Sequence, residues 1–203
     1  VAITGQADTK RMHKESHQFI DIVSMFRPIT KWNASVTRGE IVPEVVRKAF
    51  KTAEDEKPGS THIELPEDVA DEPVDNAELP PVTRVRRPAP DYKAVRAAVE
   101  MLRAAKQPLI IAGNGAIRKR AAKQLGIFCR KTQIATCYTF MGKGAVDPDY
   151  PGNLYTVGLQ SRDWVTCALE RADLVVAIGY DLVEYSPRLW NSGNRKQILH
   201  IDF

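Results

Sequence analysis

The chain has 203 residues, 43% of them apolar and 27% charged. That is enough for one medium domain or two small ones with a buried core, and it excludes collagen-like, mucin-like and wholly disordered chains. The net charge of +4 hides a split, with seven acids and no Lys or Arg from Glu64 to Glu78, then thirteen bases and two acids from Arg84 to Lys131. These bases follow a helical pattern without the interleaved aromatics of a stacking platform, so no nucleic-acid partner is expected. No apolar run approaches the roughly 20 residues that cross a bilayer, so no membrane partner is expected. Nothing at the N-terminus reads as a signal peptide, and the three scattered cysteines, Cys129, Cys137 and Cys167, read as small core-filling thiols of a reduced, cytoplasmic protein.

Val1 to Gly5 reads as a short buried strand, followed by a polar loop to about Ser16. Phe19, Ile22, Val23 and Phe26 fall on one face of a short helix, which Pro28 should end. Ile29 to Val36 predicts a strand. Glu40 to about Ala53 predicts a helix with Val42, Val45, Val46, Ala49, Phe50 and Ala53 on one face. Lys57 to Ser60 is a turn, and Thr61 to Leu65 is a strand closed by Pro66. From Glu67 to Pro90 apolar periodicity disappears and prolines recur at 73, 80, 81, 88 and 90, the pattern of an extended, semi-rigid linker.

Asp91 is a predicted N-cap for a helix carrying Val95, Ala98, Val99 and Leu102. Pro108 to Ala112 is a fully apolar strand, as in a sheet covered on both faces. Gly113-Asn114-Gly115 then turns into a basic helix, about Ile117 to Lys131, that buries Ala121, Ala122, Leu125 and Phe128. Gln133 to Thr139 predicts a strand and Met141 to Tyr155 a loop. Ser161 caps a helix that runs through Arg171. Asp173 to Gly179 and Ile198 to Asp202 are two more strands. Alternating strands and helices imply parallel strands with crossover helices. The predicted fold class is α/β: a doubly wound, Rossmann-like parallel sheet over residues 91–203, preceded across the linker 67–90 by part of a second α/β domain over residues 1–66. Strand patterns at both ends make this an expected piece of a longer polypeptide.

Doubly wound sheets bind ligands at the carboxyl ends of their strands. Three such ends carry polar or glycine-rich sequence: Gly113-Asn114-Gly115, Gly179-Tyr180-Asp181 and His200-Ile201-Asp202. Glycines at 113 and 115 would let a backbone approach a phosphate, yet the third glycine of the dinucleotide fingerprint is absent, and a plain tight turn fits the residues too. Asp202 could accept ribose hydroxyls or simply be a solvated strand-end acid. His13 and His17 are four residues apart, but no third ligand completes a metal site. There is no nucleophile elbow, Walker loop or zincin motif.

Phe19-Ile20-Asp21-Ile22-Val23, Arg27-Pro28-Ile29-Thr30-Lys31-Trp32-Asn33, Lys57-Pro58-Gly59 and Leu65-Pro66-Glu67-Asp68-Val69, in this order, resemble thiamine-diphosphate-dependent enzymes, specifically the catalytic subunits of acetolactate synthases. The resemblance makes residues 1–66 the C-terminal part of a pyrimidine-binding domain and residues 91–203 a central Rossmann-like domain, incomplete at its C-terminal end. It implies that the whole enzyme decarboxylates pyruvate and joins the product to a second 2-keto acid, as a homodimer or homotetramer. It also implies thiamine diphosphate and Mg²⁺, whose main ligands and catalytic glutamate fall outside this chain, so the fragment alone is expected to be inactive and to hold no metal. Within the chain the resemblance singles out Gln18, which projects toward cofactor and substrate in the relatives and could equally cap a helix or face solvent here. Other carboligases and decarboxylases, of the glyoxylate or benzoylformate type, share these domains. A non-catalytic nucleotide-binding module is the remaining alternative.

Tyr180 to Pro187, Trp190 to Asn194 and His17-Gln18 resemble the catabolic members of that family. The biosynthetic members carry an R-F-D-D-R pattern at the first place, three glycines where this chain has Gly113-Asn114-Gly115, a flavin-holding arginine at the position of Lys57 and a lysine at that of Glu67. These departures imply that FAD is unlikely and that Gly113, Asn114 and Gly115 form at most a vestigial or weak dinucleotide site.

Overall fold

The computed structural model describes residues 1–14, 17, 19–75, 81, 88–118, 121–159 and 163–202. Gln18, Ser161 and residues 76–80 and 82–87 of the predicted linker lie outside them. The chain forms two compact units, Val1–Arg87 and Pro88–Phe203, and both are α/β with parallel sheets.

In the first unit, β1 (Ala2–Gln6), α1 (Ile22–Phe26), β2 (Trp32–Ser35), α2 (Val42–Glu54), β3 (Thr61–Pro66) and α3 (Glu67–Ala70) follow in order. The sheet order is β1-β3-β2, with Ile3 and Ala34 flanking Ile63 in register. Asp21 starts α1 by accepting the Ser24 amide at 2.9 Å. As expected, Pro28 closes the α-helix, which ends at Phe26. It sits inside a short 3₁₀ turn, Arg27–Ile29, at a first-turn position where a missing N–H costs nothing. That turn takes up Ile29, so β2 begins only at Trp32. Helix α2 lays Val42, Val45, Val46 and Ala49 against Val36, Ile63 and Val69, while Phe50 from the same predicted stripe stays exposed. The start of the expected linker is helical instead: Glu67 and Asp68 occupy the first turn of α3, where acids favour the dipole, and Val69 is buried.

In the second unit, α4 (Tyr92–Ala104), β4 (Pro108–Ala112), α5 (Ala121–Thr132), β5 (Thr136–Tyr138), β6 (Asn153–Thr156), α6 (Trp164–Arg171), β7 (Leu174–Ile178), α7 (Pro187–Trp190) and β8 (Gln197–Ile201) build a five-stranded sheet of order β6-β5-β4-β7-β8. All its pairings are parallel. Alternation along β4 and β7 sorts the core into two layers. Leu109, Ile111, Val175 and Ala177 pack with Leu169, Ala172 and Trp190. Ile110, Ala112, Leu174 and Val176 pack with Leu125, Cys129, Met101 and Leu102. The sheet is therefore covered by α6 and α7 on one face and by α4 and α5 on the other, which is why its central strands read as unbroken apolar runs.

Several boundaries differ from expectation. The edge strand β6 falls within the predicted loop, because four residues next to Pro151-Gly152 carry little periodic signal. Asp163, not Ser161, caps α6, and it does so with a capping box: its carboxylate accepts the Thr166 amide at 2.8 Å while the Asp163 amide donates to the Thr166 hydroxyl. Asp91 caps α4 as predicted, accepting the amides of Lys93 and Ala94. Only the C-terminal end of α4 reaches the sheet, so Val95 and Val99 of its stripe are exposed. Cys129 and Cys137 are buried free thiols, but Cys167 is exposed and does not fill the core. Among the described residues no helix is long and apolar enough to cross a membrane.

Candidate functional site

The carboxyl ends of β4, β5 and β7 lie side by side in the second unit, the place where a doubly wound sheet has its crevice. After β4 the chain enters a 3₁₀ turn, Asn114–Ile117, and α5 starts only at Ala121, later than the expected Ile117. The turn after β4 is therefore not the N-terminus of a long helix. Its two glycines are required by backbone: a Cβ on Gly113 would lie 2.5 Å from the Gly179 oxygen, and one on Gly115 2.6 Å from Gly179 Cα. Gly179 has φ +55°, a conformation that glycine adopts at no steric cost, and so lets the β7 loop cross this close.

The amides of residues 113–116 each have an acceptor within the chain. Gly113 donates to Ile178 at 2.9 Å, Gly115 to Gly179 at 2.8 Å and Ala116 to Gly113 at 3.0 Å. Asn114 donates to both carboxylate oxygens of Glu184, at 3.1 and 3.2 Å. The Thr139 hydroxyl also donates to Glu184 and accepts the Gly142 amide at 3.0 Å. Glu184 is 8% exposed. The loop that presents it is held by Tyr180, whose hydroxyl donates to the Tyr185 carbonyl and accepts the Trp190 indole N–H at 3.3 Å. Burial pushes the Tyr180 phenol up to about 12, so it stays a neutral donor. The sequence motifs thus meet in space, as Gly113-Asn114-Gly115 contacts Gly179-Tyr180, but the group that joins them, Glu184, is one that sequence reasoning quoted only within a subtype pattern. At the end of β8, His200 and Asp202 approach to 3.8 Å.

The corresponding end of the first unit is an open cleft of about 630 Å³ lined by Thr4, Gln6, Arg11, His17, Leu65 and Glu67, among others. Gln18 lies outside the described residues. The buried Gln6 amide donates to the Ile20 carbonyl at 2.7 Å and to Glu64 at 3.0 Å. Gln6 was not among the expected site residues; a polar residue closing the apolar strand Val1–Gly5 was the available signal. A second open cleft, about 660 Å³, lies by the amino ends of β4, β5 and β7, lined by Gln107, Gln133, Trp164 and Arg171 among others. It is at the end of the sheet opposite to the convergent polar groups. Among the described residues no group of three or more His, Cys, Asp or Glu could hold a metal ion.

On β3 of the first unit, His62 is fully buried, stacked on Phe26 with centroids 3.9 Å apart. It shares a hydrogen bond with Thr4 at 2.9 Å and leaves Nδ1 without a partner. Burial lowers its pKa from 6.5, against the opposing pull of Glu64. A lowered histidine contributes stability that is present above its unfolded value and is lost as pH falls toward the folded one. The first unit is therefore expected to show a lower urea midpoint at pH 5 than at pH 7.5, and His62→Val, which removes the orphaned nitrogen, to flatten that difference. Equal pH dependence in both proteins would contradict the assignment.

Residues 95–203 match the family described as "Thiamine pyrophosphate enzyme, central domain". The whole chain aligns with a probable acetolactate synthase large subunit of Methanocaldococcus jannaschii, 34% identical and covering 35% of that protein. It aligns equally with a catabolic acetolactate synthase of Raoultella terrigena, 34% identical over 36% of its length, and with a glyoxylate carboligase of Escherichia coli O157:H7, 31% identical over 35%. The chain thus spans about a third of the length of these curated relatives.

Proposed function

Because this chain belongs to the thiamine pyrophosphate enzymes through their central domain, we propose that it is an internal stretch of an acetolactate synthase-like enzyme. The whole polypeptide would decarboxylate pyruvate and ligate the product to a second 2-keto acid. The observation that carries this reading is that acetolactate synthases align over both units, at 30–34% identity and across all of the chain. In this reading residues 1–66 are the end of the pyrimidine-binding domain, 67–90 the linker and 91–203 most of the central domain. Thiamine diphosphate, when bound, supplies the electron sink for decarboxylation. On this reading, as the resemblance implies, the main Mg²⁺ and diphosphate ligands lie in parts of the polypeptide outside this chain.

The subtype rests on the crevice, since identity is the same, 34%, to a catabolic enzyme and to a large subunit. The engagement of the Asn114 amide by Glu184 supports the catabolic, flavin-free form, in which Gly113, Asn114 and Gly115 are a vestigial dinucleotide turn. Gln18 is proposed to lie beside cofactor and substrate in the assembled enzyme, as the resemblance implies. The three free cysteines agree with a cytoplasmic protein. A homodimer or homotetramer is proposed, to be read by light scattering on the full-length protein.

The test is an assay of the full-length protein with pyruvate, thiamine diphosphate and Mg²⁺, in which acetolactate is expected; turnover of glyoxylate but not pyruvate would move the assignment to the glyoxylate carboligase relatives. Residues 1–203 alone are expected to give no acetolactate under the same conditions. Measurable cofactor-dependent turnover by the isolated chain would show that the essential groups lie inside it.

A further inference from the structure

We infer that Glu184 is an internal anion: its carboxylate occupies the position at the carboxyl end of β4 that the diphosphate of a nucleotide would otherwise take, and it determines that this crevice does not admit such a ligand. A phosphate binds at the first turn after a strand when backbone N–H groups there are free to donate and glycines let it come close. Here the amides of Gly113, Gly115 and Ala116 donate to backbone carbonyls, and that of Asn114 donates to Glu184 at 3.1 and 3.2 Å. The Thr139 hydroxyl, from the end of the neighbouring strand, donates to the same carboxylate. An amide at a β4 turn and a hydroxyl at the β5 end are the kind of neutral donors that receive a phosphate oxygen. A carboxylate from the β7 loop satisfies both.

The fit is close enough to constrain the main chain. A Cβ on Gly113 would stand 3.0 Å from Glu184 Oε2, so the space that glycine provides is filled by protein. Glu184 is also held from behind, as its own amide donates to the Asp181 carbonyl at 3.0 Å, and the Tyr180–Tyr185–Trp190 contacts fix the loop on the core. A nucleotide diphosphate would have to displace a buried side chain from both of its donors and from the space beside Gly113, so the site is closed because its donors and its room are already taken.

The inference deepens the flavin-free reading above and rests on it only for the class of ligand. It is tested with inorganic pyrophosphate in the full-length protein saturated with thiamine diphosphate and Mg²⁺, so that the cofactor's own diphosphate site is already filled, by thermal melting against sodium chloride of equal ionic strength. Glu184→Ala leaves the two donors without their acceptor and vacates the space. It is expected to melt below the parent, and pyrophosphate is expected to restore part of the loss, binding at least about tenfold tighter than to the parent, the scale on which freed donors regain a charged acceptor. Glu184→Gln keeps an acceptor of the same length in place, and its melting point is expected to ignore pyrophosphate as the parent's does. A Glu184→Ala protein that responds alike to pyrophosphate and chloride, or stays unfolded in both, overturns the inference. So does a Glu184→Gln protein that pyrophosphate stabilises as strongly as Glu184→Ala. An unaltered protein that purifies with a full equivalent of flavin overturns the flavin-free reading itself, whatever the variants do.

Discussion

Val176→Asp is expected to unfold the second unit, whereas Ile198→Asp is expected to leave it folded. Val176 is fully buried on the central strand β7, with Ile110 and Leu199 beside it in register, in the layer that also holds Leu125 and Cys129. A carboxylate there has only apolar neighbours and cannot reach water. Burying it unpaired costs several kcal/mol even after relaxation, and the lost valine packing adds about 1–2 kcal/mol. The sum approaches the whole stability of an ordinary domain, about 5–15 kcal/mol. Ile198 occupies the edge strand β8 and is 42% exposed, so a charge placed there stays hydrated and costs about 1 kcal/mol or less. Circular dichroism and urea unfolding of the chain read both. If Val176→Asp kept the parent's unfolding midpoint, the two-layer core described for β4 and β7 would be wrong.

The same contrast explains what was legible before the structure. Leu109–Ala112 and Leu174–Ile178 could be read as strands of a covered parallel sheet because both of their faces are buried, which writes a continuous apolar run into the sequence. Their parallel pairing, Leu109 opposite Val175, follows from the helices between them. Asn153–Thr156 could not be read, because an edge strand needs little burial and Tyr155 departs from extended geometry at φ +63°. Asp163 was missed as the cap of α6 because Ser161 offers the same chemistry two residues earlier, and only the reciprocal bond to Thr166 separates them. At the crevice, the glycines at 113 and 115 were visible, but their reason was not. Whether a glycine admits a ligand or another stretch of backbone depends on what crosses it, and here that is Gly179, over sixty residues away. Glu184 was invisible for the same reason, since nothing in Tyr180 to Pro187 says which donors a loop carboxylate will meet.

The full-length protein is expected to purify without stoichiometric flavin. A flavin dinucleotide would need donors for its diphosphate at the turn after β4, and the amides of Gly113, Gly115 and Ala116 already donate to backbone carbonyls while that of Asn114 donates to Glu184. Freeing any of these breaks a native hydrogen bond, and freeing the last also strips a buried carboxylate of a donor. In the flavin-binding members of the resembled family the turn has a third glycine where this chain has Asn114, and the loop after β7 bears an arginine pattern where this chain has Tyr180-Asp181. Each hydrogen bond to a charged group that is not made forgoes about 1.5–3 kcal/mol. With about 1.4 kcal/mol to each tenfold in affinity, two or three such losses move a tight site out of the range that survives purification. The measurement is the visible spectrum of the purified protein, together with flavin content after denaturation. A yellow protein with close to one flavin per chain would require the β7 loop to withdraw Glu184 from Asn114, and it would transfer the assignment to the flavin-binding, biosynthetic type.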